Sequence, residues 1–394
     1  MYESIKEQFL AGFGREARYI FSAPGRTELG GNHTDHQLGR VLAGAVSVDT
    51  VAAVAPNGER TIRVRSEGYP LCVVSLDDLE VRPEDYGTTL SLIRGVAAGI
   101  AGEGHTVSGF DAAVCSRVLP GSGLSSSAAF EVLLGTIINH LDRCGLDAIR
   151  IAQIGQYAEN VYFGKPCGLM DQMASSVGGI VTIDFADGAH PAVEPLDFDF
   201  AACGHALCIV NSGADHADLT DEYAAIPREM GEVCRVFGKT HLRQVDEAAF
   251  YARLPEVRAA AGDRAALRAM HIFDDNRRVG VQVEALKAGD FARFLELVNE
   301  SGRSSWLYLQ NVVPTGSTRH QELALSLALA AKLLQGRGAC RVHGGGFAGT
   351  IQAFVPLDLL DEFRAGMEAV LGPGSCQVLS IRPEGGVLLE EVRA

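Results

Sequence analysis

The segment Pro120-Gly121-Ser122-Gly123-Leu124-Ser125-Ser126-Ser127-Ala128-Ala129 joins a Gly/Ser loop to an apolar run. Glycines let the backbone turn tightly and approach a ligand closely. The residues that follow, including Phe130, Val132, Leu133, Leu134, Ile137, Ile138 and Leu141, predict a mostly buried helix. The loop is thereby placed at a helix N-terminus, where free N–H groups and the positive dipole end hold an anion such as phosphate. The serine hydroxyls add donors, or an oxygen ligand for magnesium. No G-K-[ST] follows the glycines, so this is not a Walker A loop. Taken alone, the segment reads as well as a serine-capped structural helix after a turn.

The charge balance gives such a device a purpose. The 394 residues carry 34 basic and 49 acidic side chains, a formal charge of −15. That surface repels nucleic acid and anionic membranes, so neither is expected as a partner. An anionic ligand needs a local cradle against the overall field. Hydrophobic residues at 47% and charged ones at 21% exclude a disordered chain. The length favours two domains. No apolar run is long enough to span a bilayer, and the start Met1-Tyr2-Glu3-Ser4-Ile5-Lys6-Glu7, without a basic stretch before an apolar core, is not expected to act as a signal peptide. Nine scattered cysteines without a C-x-x-C pair are read as reduced thiols of a cytoplasmic protein.

Outward from the loop, the pattern is mixed α+β. A helix in residues 1–20 leads into a strand at 17–22, then a Gly-bearing polar loop at 23–39. Val, Ile and Thr enrichment predicts strands at 41–54, 61–66 and 71–75. A helix is expected at 88–101, a strand at 109–118 and a helix at 147–163. Strands at 182–184 and 206–211 precede helices near 220–237, 255–270, 280–299 and 318–335. A Gly-rich turn at 344–349, a strand at 350–355 and a helix at 357–371 follow. The tail, 376–382 with 387–392, reads as a β-hairpin. The boundary is placed at residues 1–200 and 201–394.

Two further segments are dense in polar groups. In Gly25-Arg26-Thr27-Glu28-Leu29-Gly30-Gly31-Asn32-His33-Thr34-Asp35-His36, Arg26 is suited to neutralise a phosphate or to depress the pKa of a nearby carboxylic acid. Asn32, His33 and Asp35 are suited to bind hydroxyls. A solvated loop is the plain alternative. Cys167-Gly168-Leu169-Met170-Asp171-Gln172 sets one carboxylate among small and apolar residues. A partly buried Asp needs a cation or donors, and Arg26 is its natural partner. Helix capping is the alternative. Glu159, twelve residues upstream of Asp171, reads alone as a solvated helix carboxylate.

Together these segments resemble the galactokinase branch of the GHMP small-molecule kinases. Ala23-Pro24-Gly25-Arg26 with His33-Thr34-Asp35, the run from Pro120 to Ala128, and Gly344-Gly345-Gly346-Phe347 match in order and approximate spacing. The Cys167 to Gln172 box and Asn299-Glu300-Ser301 are also similar. The resemblance implies a two-domain fold, an S5-like N-terminal domain and a ferredoxin-like C-terminal domain with the site between them. It implies ATP-dependent phosphorylation of the C1 hydroxyl of a hexose, galactose first, by a monomer or weak homo-oligomer. Asp171 and Arg26 would be catalytic. Gly121, Ser122, Gly123, Leu124, Ser125, Ser126 and Ser127 would wrap ATP, and Ser127 and Glu159 would ligate Mg2+. Asn32, His33, Asp35, Gly168 and Tyr223 would contact the sugar.

The match has departures. The family pattern reads G-R-x-N-x-I-G-E-H-x-D-Y. Here Glu28 stands for the asparagine, Asn32 for the glutamate, Gly30 for the isoleucine and His36 for the tyrosine. The lost glutamate belongs to the part of the pocket that meets the C6 hydroxymethyl. Asn32 is therefore expected to set sugar preference, with Asn32→Glu moving it toward galactose. The third motif carries His343 and Ala348 in place of threonine and glycine. A C1 kinase of another hexose or a hexosamine, and a non-catalytic galactose/ATP sensor, are the competing readings.

Overall fold

The computed structural model describes residues 2–118, 121, 123–214 and 219–392. Ser122 of the predicted ATP loop, Pro120 before it and residues 215–218 lie outside them. The chain opens with α1 (Tyr2–Phe13), β1 (Tyr19–Gly30), β2 (Arg40–Pro56), β3 (Thr61–Ser66) and β4 (Cys72–Ser75). Then come α2 (Thr89–Gly102), β5 (Phe110–Ser116), α3 (Ser126–Leu141), α4 (Ala148–Tyr157), α5 (Met170–Val177), β6 (Ile180–Asp184) and β7 (Ala192–Leu196). The second half holds β8 (His205–Asn211), α6 (Thr220–Val236), α7 (Glu247–Ala252), α8 (Leu254–Lys287), α9 (Phe291–Ser304) and α10 (Glu322–Leu334). It closes with β9 (Ala339–His343), β10 (Thr350–Pro356), α11 (Leu360–Leu371), β11 (Cys376–Leu379) and β12 (Val387–Glu391).

The strands form two sheets. One runs β12-β1-β2-β5-β3-β4, with β6 on the first half of β2 and β7 beyond it; the other runs β11-β8-β10-β9. Among the described residues only β3 and β5 pair in parallel, and the other ladders between these strands are antiparallel. Phe21, Val54, Val96, Phe110, Leu133 and Ile137 pack the first sheet against α2 and α3. Val210, Leu327, Val342, Phe363 and Met367 pack the second against α10 and α11. A third cluster holds Leu29, Val118 and Leu124 from the first half with Leu207, Val283, Phe294 and Phe354 from the second. This shared core fixes the two sheets together, and the polar segments meet above it.

Three local expectations change. The polar stretch at 23–39 is not a loop along its first part. It is the second half of β1, whose twelve residues are all buried. Its charged side chains are tolerated because each meets a partner from another element, as described below. The two tail segments do not pair as a hairpin. β11 joins β8 and β12 joins β1, while Arg382 between them bonds to Ala45 and Asp49 of β2. The helix expected at 280–299 breaks at 288–290, where Gly289 has φ 70° and Asp290 caps the amide of Arg293.

The tail also fixes α5. Gly178 ends that helix with φ 82°, and a Cβ there would lie 2.5 Å from the Pro383 carbonyl oxygen. Gly178→Ala is expected to destabilise the fold by about 1–3 kcal/mol, since backbone must shift and the left-handed φ is strained. A urea midpoint equal to that of the wild type would show that the tail yields instead.

Candidate active site

Arg26 lies near the middle of β1, on a strand bent by bulges on either side of it. Its guanidinium grips Asp171 through two bonds, Nε to Oδ1 at 2.6 Å and Nη2 to Oδ2 at 2.9 Å. Its Nη1 donates to the carbonyl of Gly123, and its backbone N–H to the carbonyl of Leu124 at 3.0 Å. One buried arginine therefore holds both the Gly/Ser loop and the carboxylate. Asp171 sits in the first turn of α5, where the helix dipole favours negative charge. Burial pushes its carboxyl up, but the Arg26 charge and hydrogen bonds, with Ser125, outweigh it and hold it below the usual value.

The loop itself is set by backbone geometry. Gly121 and Gly123 have φ of 74° and 71°, and Ser125, at 59°, is left-handed. A side chain at Gly123 would run into the Thr350 hydroxyl and the His343 ring. Ser125 makes no side-chain cap to α3, so the first-turn N–H groups stay directed outward. Leu124 is fully buried and anchors the loop through its side chain, and Ser125, Ser126 and Ser127 are partly exposed.

Glu159 lies in a π-helical turn, Ala158–Phe163, that continues α4. It is 2% exposed, not a solvated carboxylate, which corrects the plain reading of its sequence context. Ser127 Oγ donates to its Oε1 at 3.0 Å, Lys165 Nζ lies 3.2 Å away, and Gln172 Nε2 donates to Oε2 at 2.8 Å. Gln172 also reaches Glu131, whose pKa burial raises well above the carboxylate range, the Glu159 charge adding to it. Among the described residues no group of three or more His, Cys, Asp or Glu side chains is placed to hold a metal. Ser127 and Glu159 still supply two hard oxygen atoms 3.0 Å apart. That pair fits Mg2+, which takes few protein ligands and completes its shell with phosphate oxygens and water.

The predicted sugar residues gather beside this centre. His33 Nε2 donates to the carbonyl of Gly345 at 3.0 Å, and the Tyr223 hydroxyl donates to that of Gly346 at 2.8 Å. Asp35 accepts the amide of His36 at 2.9 Å and presses against Gly168, where any Cβ would overlap its carboxylate. Burial, then the neighbouring His36, lowers the His33 pKa to about 3, and burial pushes Tyr223 up to about 12. Asn32 departs from expectation. It has no exposed surface, and its side chain is bonded to Glu28, Gly344, Ser305 and Asn311. An amide so engaged has no site left for a hydroxyl.

Sequence reasoning passed over several partners. Lys165, Gln172 and Glu131 surround Glu159, and the one signal was Glu131, a lone acid in the buried run of α3. Glu28 pairs with Arg341 of β9, both buried. His343 Nε2 accepts from the Glu28 amide at 3.1 Å, and Gln352 donates to Thr27 Oγ1 at 2.7 Å. Thus β1 is stitched to the second sheet along its polar half.

With this geometry in view, the likenesses to known proteins are informative. Residues 7–56 match the galactokinase galactose-binding signature, and residues 91–179 match the GHMP kinases N terminal domain. The crystal structure of Lactococcus lactis galactokinase complexed with galactose is similar, at TM-score 0.84 and 24% identity, covering 98% of this chain and 100% of that one. The Methanococcus jannaschii mevalonate kinase gives 0.66 at 14%, covering 94% and 100%. Streptococcus pneumoniae phosphomevalonate kinase, in complex with phosphomevalonate and AMPPNP, gives 0.62 at 12%, covering 91% and 98%. The fold is the two-domain GHMP kinase fold, mixed α+β as expected. The two family-model matches agree with the expected resemblance to the galactokinase branch over residues 7–56 and 91–179, and the likeness to the solved structures shows the fold. Among the described residues no helix is long and apolar enough to cross a membrane.

The lowered His33 pKa has a consequence for stability. An unfolded histidine takes up its proton near pH 6.5, and the folded one only near 3. The contribution is complete above about pH 6.5 and shrinks as pH falls through that window. His33→Gln is expected to flatten the fall of unfolding free energy between pH 6.5 and 5, by up to about 1.4 kcal/mol per pH unit. Urea titrations at three pH values measure it; parallel curves would mean His33 is protonated in the folded state.

Proposed function

We propose that the protein transfers the γ-phosphoryl group of ATP to the anomeric C1 hydroxyl of a hexose, with D-galactose the first candidate. The observation that carries this reading is Arg26, one buried cation bonded to both Asp171 and the carbonyl of Gly123. It sets a single ionised carboxylate beside an anion cradle, which is the pairing that transfer of phosphate to a hydroxyl requires. The proposed division into a lobe of residues 1–200 and a lobe of 201–394, whose last strand β12 pairs with β1 of the first lobe, has the cradle in the first and Tyr223 in the second.

Each residue has a part that its chemistry supports. Asp171 orients the C1 hydroxyl. Because its pKa is held low, it is a weak base and takes the proton late, as the oxygen–phosphorus bond forms. Arg26 keeps Asp171 ionised and stabilises charge on the phosphoryl group in flight. The backbone of residues 121–127 and the start of α3 hold the triphosphate. Ser127 and Glu159 would hold Mg2+, which when bound neutralises phosphate charge. His33, Asp35, Gly168 and Tyr223 shape the sugar site; neutral His33 and the acceptor oxygens of Asp35 suit hydroxyl recognition.

One observation favours a second reading within the same chemistry. With Asn32 engaged on every side, no carboxylate stands where the resembling family carries one for the C6 hydroxymethyl. A hexose or hexosamine altered at that carbon is the alternative substrate. An ADP-release assay over a sugar panel decides between them. The expected outcome is sugar-dependent ADP formation that falls on the order of 10²–10⁴-fold in Asp171→Asn with sugar binding retained. Tight sugar and ATP binding without turnover in the wild type would instead support a sensor.

A further inference from the structure

Residue 32 lies where five parts of the chain meet. Its amide donates to Asp275 Oδ2 at 2.8 Å and its carbonyl accepts from His271 Nε2 at 3.0 Å, both from α8. Its side-chain Nδ2 donates to Glu28 Oε1 of β1 at 3.1 Å and to the carbonyl of Gly344 at 2.7 Å. Its Oδ1 accepts from Ser305 Oγ at 3.2 Å, just past α9, and from Asn311 Nδ2 at 2.9 Å. Both backbone groups, both amide hydrogens and both lone-pair positions are used. The residue is entirely buried.

Glu28 completes the arrangement. It is a carboxylate, acceptor only, ion-paired with fully buried Arg341 and facing the amide hydrogens of Asn32. A carboxylate at both positions would set two like charges against one arginine, and an amide at both would leave Arg341 buried without an anion. The two positions therefore work as one donor–acceptor couple. The family pattern that the sequence resembles carries the same two residue types with their places exchanged, Asn at the position of Glu28 and Glu at that of Asn32.

We propose that Asn32 is a positioning residue whose obligate complement is Glu28, and that together they clamp the loop carrying His33 and Asp35 against the 344–346 turn from behind, without touching the sugar. The clamp acts on the sugar because His33 bonds to Gly345 and Asp35 rests on Gly168, next to the turn that carries Asp171. This role rests on the sugar-kinase reading. Among the described side chains, Arg341 Nη1 is buried without a partner, which leaves a donor for a carboxylate brought in from position 32.

The test compares Asn32→Asp, Glu28→Gln, Asn32→Glu and the exchanged double variant Glu28→Asn/Asn32→Glu with the wild type. Amide hydrogen exchange over residues 31–36, thermal midpoint, and KM and kcat for sugar and ATP are measured. In Asn32→Asp, exchange over 31–36 is expected to quicken and sugar KM to rise, each on the order of tenfold, with ATP KM within about twofold. The double variant is expected to regain most of the protection lost in Asn32→Glu. Should Asn32→Glu fail to fold, recovery of a folded double variant makes the same point. A changed sugar KM with wild-type exchange in Asn32→Asp would overturn the clamp in favour of direct contact. A double variant no better than Asn32→Glu would overturn the coupling. If the wild type forms no ADP with any sugar, the kinase reading fails, and the exchange data still judge the clamp.

Discussion

A charged guanidinium inside a protein must be met by an anion, and Arg26 is met by Asp171. The two are 145 residues apart in sequence. Their bidentate contact forces the start of α5 up against β1, and the remaining donor of Arg26 draws in the Gly/Ser loop. Removing Asp171 would leave the Arg26 guanidinium buried without its anion, which costs more than the pair contributes. The site is thus a consequence of a folding constraint: the chain cannot bury β1 without assembling the carboxylate and the cradle around it.

The same rule extends along the polar half of β1. Thr27 meets His343 and Gln352, Glu28 meets Arg341, and Asn32 meets α8 and the 344 turn. This seam ties the first sheet to the second directly above the shared apolar cluster of Leu29, Leu124, Phe294 and Phe354. Apolar contact sets the distance between the sheets, and directional hydrogen bonds set their register. His343 is kept neutral by burial and by the charges of Arg26 and Arg341, so it can accept from the Glu28 amide. Protonation would turn that acceptor into a donor facing a donor.

Much of this is legible in the order of the amino acids. The long apolar run after Ser127 marks α3, and Val, Ile and Thr enrichment marks β2 and β3, because one-dimensional pattern reports which face is buried. The ordered motifs contain Arg26, Gly123 and Asp171, which the fold brings together. Other features are hidden for one reason: a polar side chain does not reveal its partner. Arg26, Thr27 and Glu28 look like a solvated loop until their partners on α5, β9 and β10 are seen. Glu159 looks like a surface helix residue until Ser127, Lys165 and Gln172 surround it. The break at Gly289-Asp290 is different; its capping signal is present in the sequence but is outweighed by the periodicity on either side.

The sequence alone determined most of the elements, the glycine and serine content of the segment before α3 and the presence of a lone carboxylate and arginine in matching contexts. Those are local properties, written in glycine placement, capping and apolar period. Tertiary structure alone decided that β12 returns to the first sheet, that Asn32 faces inward, and that Glu28 and Arg341 neutralise each other. Burial of a polar group is stable only when every bond it loses to water is replaced, and the replacements here come from residues up to some three hundred positions away. No local window of the chain contains both halves of such a bond.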